Sequence, residues 1–366
     1  MSPRPASVVV PAPGRGTALN PANRFERLTV EADPDYAEFD EHGVPVERPH
    51  PRTQFYEDAT ETILNHYDSP DLGAGWSLNP YRGCEHGCVY CFARPSHAYL
   101  DLSPGLDFET RLFAKTNAAE RLRHELAKPG YMPSPITLGI NTDAYQPIER
   151  RYQVTRQCLQ ELAECGHPVT FVTKSALILR DLDLLVPMAR RNLVSVHLSV
   201  TTLDNRLSSK LEPRAAAPHT RLSTIRALGE AGIPVGVLVA PVIPMVTDEH
   251  LEHILEAAHQ AGARSAGYVL LRLPHELKEV WREWLELHYP ERAAHVMSLV
   301  NQMRGGKDYD SAYGRRMRGE GPFADLIAMR FHKARRKLGF AGIAPLDCSR
   351  FVAPRKPSPQ ADLFAG

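Results

Sequence analysis

The sequence predicts an α/β protein, an open six-stranded (β/α)6 partial barrel with an irregular N-terminal extension and a helical C-terminal region. Three observations carry that prediction. From Trp76 to His288, short apolar runs alternate with amphipathic stretches, the pattern of a parallel sheet with helices outside. The apolar runs number six, too few to close an eight-stranded barrel. Half of the six cysteines lie within eight residues near the start of this region, as Cys84, Cys88 and Cys91.

In chain order, residues 1–70 are Pro-rich and then acidic. Between Glu26 and Glu47 there are eight acids and one base, which predicts an irregular or surface-wrapping extension. Gly14-Arg15-Gly16-Thr17 within it reads as a flexible basic segment rather than a phosphate loop, because no strand precedes it. Residues 71–290 form the barrel. Its strands are expected at Ser77–Tyr81, Ile136–Ile140, Val169–Thr173, Val194–Thr201, Val235–Val239 and Ala266–Leu271. The helices between and after them are expected at Asn117–Lys128, Val154–Cys165, Asp181–Arg191, Thr220–Ala231, Asp248–Ala261 and Glu276–His288. Cys158, Leu159 and Leu162, then Leu251, Ile254, Leu255 and Ala258, recur at helical spacing. Gly232 and Gly262 follow as stop signals. Residues 291–345 read as a basic helical region, and residues 346–366 as a flexible tail.

Composition bounds the possibilities. An apolar content of 43% over 366 residues supports a substantial core, and 43 Lys and Arg balance 43 Asp and Glu, so bulk charge names no partner. The distribution is more telling: Arg304 to Lys356 holds thirteen bases and five acids, which puts any polyanion-binding surface in the C-terminal part. The first residues lack the apolar core of a secretory signal. The longest apolar run, Ile233 to Val246, is short and broken by Pro234, Pro241 and Pro244, so no membrane span is expected. Scattered Cys158, Cys165 and Cys348 suit a reducing, cytoplasmic setting.

The chemistry concentrates in Asn79-Pro80-Tyr81-Arg82-Gly83-Cys84-Glu85-His86-Gly87-Cys88-Val89-Tyr90-Cys91-Phe92. Gly83 and Gly87 allow the backbone to fold back, so three thiolates can converge on one inorganic centre. A four-iron cubane held by three thiolates keeps one iron open. Structural zinc usually takes four protein ligands in paired groups, and no second pair follows here. The Cys-x3-Cys-x2-Cys spacing with Tyr90 before the last cysteine resembles the cluster loop of the radical S-adenosylmethionine (SAM) superfamily. Asn79 to Cys84 and Cys91-Phe92-Ala93-Arg94 resemble, more narrowly, its spore photoproduct lyase-like branch, also called DNA repair photolyase-like.

That resemblance implies a [4Fe-4S] cluster ligated by Cys84, Cys88 and Cys91, SAM on the open iron, and release of a 5'-deoxyadenosyl radical by an electron from a donor such as flavodoxin or ferredoxin. Polar residues at the C-terminal strand ends are then candidate cofactor contacts, because α/β folds gather their chemistry there. They are Asn141 and Asp143 after the second strand, Lys174 and Ser175 after the third, Ser199 and Thr201 on the fourth, and Glu212 and Arg214 beyond it. Tyr90 and Tyr268 complete the set. Members of this family often have a Gly-Gly-Glu type motif where Asn141, Thr142 and Asp143 stand. Spore photoproduct lyases proper carry a hydrogen-returning cysteine where this chain has Asn141; Cys348 or Tyr145 are the candidate substitutes.

Two features bear on partners. Arg330, Lys333, Arg335, Arg336 and Lys337 read as a basic helix beside the radical site, able to meet a phosphate backbone. Gln360-Ala361-Asp362-Leu363-Phe364 resembles a sliding-clamp-binding peptide, with Gln360, Leu363 and Phe364 as contacts. The expected activity is radical SAM chemistry on nucleic acid, in DNA repair or modification. The alternatives are the same chemistry on a protein or small molecule, or a non-catalytic iron-sulfur protein associated with the clamp.

Overall fold

The computed structural model describes residues 11–26, 52–71 and 73–355. The clamp-like residues Gln360, Leu363 and Phe364 lie outside the described residues.

Among the described residues, ten strands form two sheets. They are β1 (Gln54–Glu57), β2 (Leu64–Ser69), β3 (Gly73–Leu78), β4 (Tyr81–Arg82), β5 (Arg111–Ala114), β6 (Ile136–Leu138), β7 (Val169–Thr173), β8 (Val194–Ser199), β9 (Val235–Val242) and β10 (Ser265–Leu270). The main sheet has the order β10-β9-β8-β7-β6-β3-β2 and curls into an open half-barrel. Its six strands from β3 to β10 pair in parallel, and β2 runs antiparallel along β3 from Leu64 against Leu78 to Ser69 against Gly73. The expected sixfold barrel is therefore present with a seventh strand on one edge. Sequence periodicity missed β2 because Asn65, His66, Tyr67 and Asp68 are polar or amphipathic on an edge, where only one row of the ladder is paired. It also falls, with β1, inside the stretch expected to be irregular. The small second sheet, β1-β5-β4, braces the cysteine loop from outside.

The helices pack where the periodicity predicts. Val154–Glu164 buries Cys158, Leu159 and Leu162, and Leu251–Gln260 buries Leu251, Ile254, Leu255 and Ala258, all against the sheet. Val169, Phe171, Val194, Val196 and Leu198 on the central strands have no exposed surface. Burial of each such side chain contributes about 1.5–3 kcal/mol.

Two C-terminal expectations are corrected. Residues 346–355 are not a loose tail: Asp347 N–H donates to Asn192 O (2.9 Å), Val352 N–H to Cys165 O (2.9 Å), and the Phe351 ring packs on Tyr131 and His167. All of these partners precede their strands, so this segment covers the N-terminal ends of the barrel. The helix Pro322–Leu338 starts at the strand C-termini, where Gly319 meets Leu270, and ends where Gly342 N–H meets Arg264 O (2.8 Å). Arg335, Arg336 and Lys337 in its last turn suit the negative end of the helix dipole, at the end opposite the strand C-termini.

Candidate active site

One cavity at the C-terminal ends of the strands collects the cysteine loop and most of the candidate residues. Cys84, Cys88, Cys91, Tyr90, Asn141, Asp143, Lys174 and Ser199 line it, with His86, Phe92 and Arg272. The cysteine loop forms one wall because its backbone is pinned on every side. Gly83 and Gly87 adopt φ of 75° and 66°, which side chains disfavour. Cys84 N–H donates to Phe108 O (2.9 Å), and Val89 N–H to Leu211 O (3.0 Å). Gln146 bridges the loop, accepting from Glu85 N–H (2.8 Å) and donating to Gly83 O (3.0 Å).

Behind the loop lies a fully buried guanidinium. Arg94 donates to the carbonyls of Gly87 (3.2 Å), Cys88 (2.9 Å), Pro104 (3.3 Å) and Gly105 (2.8 Å), and pairs with buried Glu109. Glu109 also accepts from Gly16 N–H (3.0 Å). Gly16 packs so closely that a Cβ there would stand 1.9 Å from Gly87 O. The Gly14–Thr17 stretch is thus a strap laid on the back of the cysteine loop.

The second strand end is organised by Asp143. Its carboxylate accepts from Tyr145 N–H (2.9 Å), the Thr173 hydroxyl (2.7 Å) and Lys174 N–H (2.8 Å), and lies 3.4 Å from His86 Nδ1. Burial would raise its pKa, but His86 and these donors outweigh it and hold the carboxyl at about 2. Asn141 N–H donates to Asn79 Oδ1 (3.0 Å), and its amide reaches Ser96 Oγ (3.4 Å). Lys174 Nζ stands 5.7 Å from the Tyr90 ring centre; burial lowers its pKa, and the neighbouring Cys88 and Glu212 more than restore it.

Tyr90 is held by a buried network. Its hydroxyl meets Thr201 Oγ1 (3.1 Å) and Glu212, Thr201 donates to Glu212 (2.8 Å), and Glu212 pairs with fully buried Arg221. Burial would raise the Glu212 carboxyl, yet Arg221 and Lys174 hold it near 2. Glu212 therefore serves Arg221 and Tyr90, while Arg214 pairs with Glu85 (2.9 Å) outside the cavity. Thr201 stands behind the cavity wall with Glu212.

Four further candidates also lie off the cavity. Ser175 caps the short helix Ala176–Asp181 by accepting from Leu177 N–H (3.2 Å). Tyr268 is buried between Phe331 and Arg318. Tyr145 is wholly inside the core against Phe171. Cys348 sits on the segment covering the strand N-termini, at the opposite end of the barrel, which corrects its reading as a hydrogen-atom donor. Sequence reasoning missed Arg221 and Arg272, and gave Arg94, Gln146 and Glu109 no role.

Residues 303–321 bridge the open side of the sheet, from the C-terminal end of β10 to the β2–β3 turn. Leu270 N–H on β10 donates to Met317 O (2.9 Å), and Arg316 donates to Ser69 Oγ (2.7 Å) at the end of β2. Fully buried Arg304 ties the segment down through Leu271 O (2.6 Å) and Arg315 O (2.7 Å).

The donor set suits a polynuclear cluster. Cys84, Cys88 and Cys91 are free thiols on one cavity wall, and among the described residues no three His, Cys, Asp or Glu side chains are grouped to hold a single metal ion. Burial pushes the Cys88 thiol up to about 12 and Cys84 well above its ordinary value, so ligation as thiolates releases protons. Three free thiols on the strand-end cavity of a half-barrel are a donor set that an iron-sulfur cluster fits.

The chain belongs to the radical SAM superfamily, whose sequence profile matches residues 78–258. Its members use a [4Fe-4S] cluster and SAM. An uncharacterized protein of Mycobacterium tuberculosis (strain ATCC 25618 / H37Rv) is 38% identical over 251 residues, 68% of this chain and 74% of that one. A radical SAM Nalpha-GlyT isomerase of Pseudomonas phage M6 is 28% identical over 191 residues, 50% of this chain and 36% of that one. The fold matches spore photoproduct lyase complexed with dinucleoside spore photoproduct, with a TM-score of 0.56 at 15% identity over 78% of this chain and 80% of that one. Among the described residues no helix is long and apolar enough to cross a membrane.

Proposed function

We propose that this chain is a radical SAM enzyme acting on nucleic acid, in DNA repair or modification. The observation that carries the reading is the cavity itself, with Cys84, Cys88 and Cys91 on one wall and the cations Lys174 and Arg272 among its lining residues. When bound, the cluster and SAM supply a 5'-deoxyadenosyl radical through one-electron reductive cleavage. The chain's own residues do the rest. Cys84, Cys88 and Cys91 would hold three irons. Tyr90, fixed by Thr201 and Glu212, offers a ring face beside the site, and Lys174 offers a cation for a carboxylate. Asn141 and Ser199 add neutral polar contacts on the lining.

The fold shared with a lyase in complex with a dinucleoside lesion supports a nucleic-acid substrate. The basic residues that line the cavity are Lys174 and Arg272, not those in the last turn of the C-terminal helix. Asn141 lines the cavity where a hydrogen-returning cysteine is expected in spore photoproduct lyases, so the reading is hydrogen abstraction from nucleic acid rather than repair of that one lesion. The test is incubation of the cluster-loaded, reduced protein with SAM and deuterium-labelled DNA pools. Deuterium appearing in 5'-deoxyadenosine supports the reading; 5'-deoxyadenosine formed without deuterium from the labelled DNA would refute it.

A further inference from the structure

We propose that Arg272 is the phosphate anchor of this site, binding one backbone phosphodiester of the substrate at the cavity mouth; this rests on the nucleic-acid reading above. Arg272 lies two residues beyond the end of β10 and lines the cavity. Its guanidinium stacks on Phe92, 4.6 Å from the ring centre, and lies 6.0 Å from that of Tyr309. Phe92 is 38% exposed, so the stack stands at the rim. One terminal nitrogen donates to the Tyr309 hydroxyl (3.2 Å), and the buried Nε has no hydrogen-bond partner among the described residues.

Nearby carboxylates are all engaged elsewhere. Asp71 pairs with Arg316, Asp308 with Arg282, and Asp310 and Glu320 with Arg315. Arg272 itself pairs with no carboxylate among the described residues. Its charge is felt by groups of both signs: buried Arg304, whose pKa burial and then Arg272 lower to about 10, and Asp71, whose carboxyl Arg272 helps to hold down. A guanidinium held over an aromatic ring on the cavity lining, with no carboxylate partner among the described residues, fits a tetrahedral anion. Lys174 takes the inner end of the same cavity, so the two cations serve different groups. A phosphate held at Arg272 would fix how far the attached nucleoside can enter.

The test is anisotropy of a fluorescein-labelled single-stranded 12-mer DNA with the cluster-loaded full chain, across a salt series, for wild type, Arg272→Gln, Arg272→Lys and Arg336→Gln. Arg272→Gln should bind roughly tenfold more weakly at low salt and lose about 0.7 from the slope of log affinity against log salt. Arg272→Lys should recover most of the slope, which separates lost charge from lost folding, and Arg336→Gln at the far end of the helix should match wild type. No DNA binding by wild type would overturn the nucleic-acid reading itself. Wild-type binding with an unchanged slope in Arg272→Gln would overturn the phosphate anchor alone. A loss of SAM affinity in Arg272→Gln with the DNA slope intact would also overturn it, by assigning the cation to the carboxylate of SAM.

Discussion

Replacing Arg94 by Met tests whether the cysteine loop is held from behind. Arg94 and Glu109 are both fully buried, and removing the cation leaves an uncompensated carboxylate in the interior. Breaking a buried pair this way costs about 3–5 kcal/mol. Four carbonyls, two of them on the loop itself at Gly87 and Cys88, also lose a donor. These losses overlap, so the expected destabilisation is about 4 kcal/mol, a large part of the 5–15 kcal/mol typical of a folded domain. The assay is urea unfolding together with iron and sulfide content after anaerobic reconstitution. Arg94→Met should lose both stability and cluster, and Arg94→Met with Glu109→Gln should recover part of the stability, because Gln still accepts from Gly16 without a charge. Arg123→Met, which breaks a half-buried pair to Glu161 and an exposed one to Glu164, should cost clearly less than Arg94→Met, about 1 kcal/mol. An Arg94→Met protein within 1 kcal/mol of wild type and fully loaded with iron would refute the reasoning.

Other perturbations probe the strap and the pH response. Gly16→Ala places a methyl against Gly87 O, so the strap or the loop must shift; a loss of about 1–3 kcal/mol and lower iron retention are expected, and an unchanged protein would show that the strap does not bear on the loop. Burial holds His167 at about 4 in the fold against 6.5 when unfolded, its Nδ1 at Pro168 O and its Nε2 at the Tyr131 hydroxyl, each 2.9 Å away. The unfolded chain therefore binds more protons between those values, and stability falls as pH drops from 7 towards 4, by about 2 kcal/mol at pH 5 from this group. Urea midpoints at pH 7 and 5 should show at least that drop, and His167→Asn should remove about 2 kcal/mol of it, the remainder coming from His97, which burial also holds at about 4. An equal drop in the variant would place the effect elsewhere.

Much of this arrangement was legible in the sequence, and the gaps have physical causes. Val169–Thr173 appears as a strand with the expected bounds, and the other core strands shift by a few residues, because buried parallel strands are continuous apolar runs. β2 escaped because an edge strand need not be apolar. The cysteine triad was readable because its spacing is local. Arg94–Glu109 and Glu212–Arg221 were not, since each pair joins residues 15 or 9 positions apart whose charges look like ordinary surface groups until burial brings them together. The sequence located positive charge in the C-terminal region but not its direction. Folding turns Arg335, Arg336 and Lys337 away from the cavity and brings Arg272, within the barrel region, to its mouth.

The measurement that tests the central claim most directly is chromatography for 5'-deoxyadenosine after anaerobic reconstitution, dithionite reduction and addition of SAM, beside a Cys84→Ala/Cys88→Ala/Cys91→Ala variant. The account predicts product from the wild-type protein and none from the variant. A wild-type protein carrying a full, reducible [4Fe-4S] cluster that yields no 5'-deoxyadenosine would contradict it.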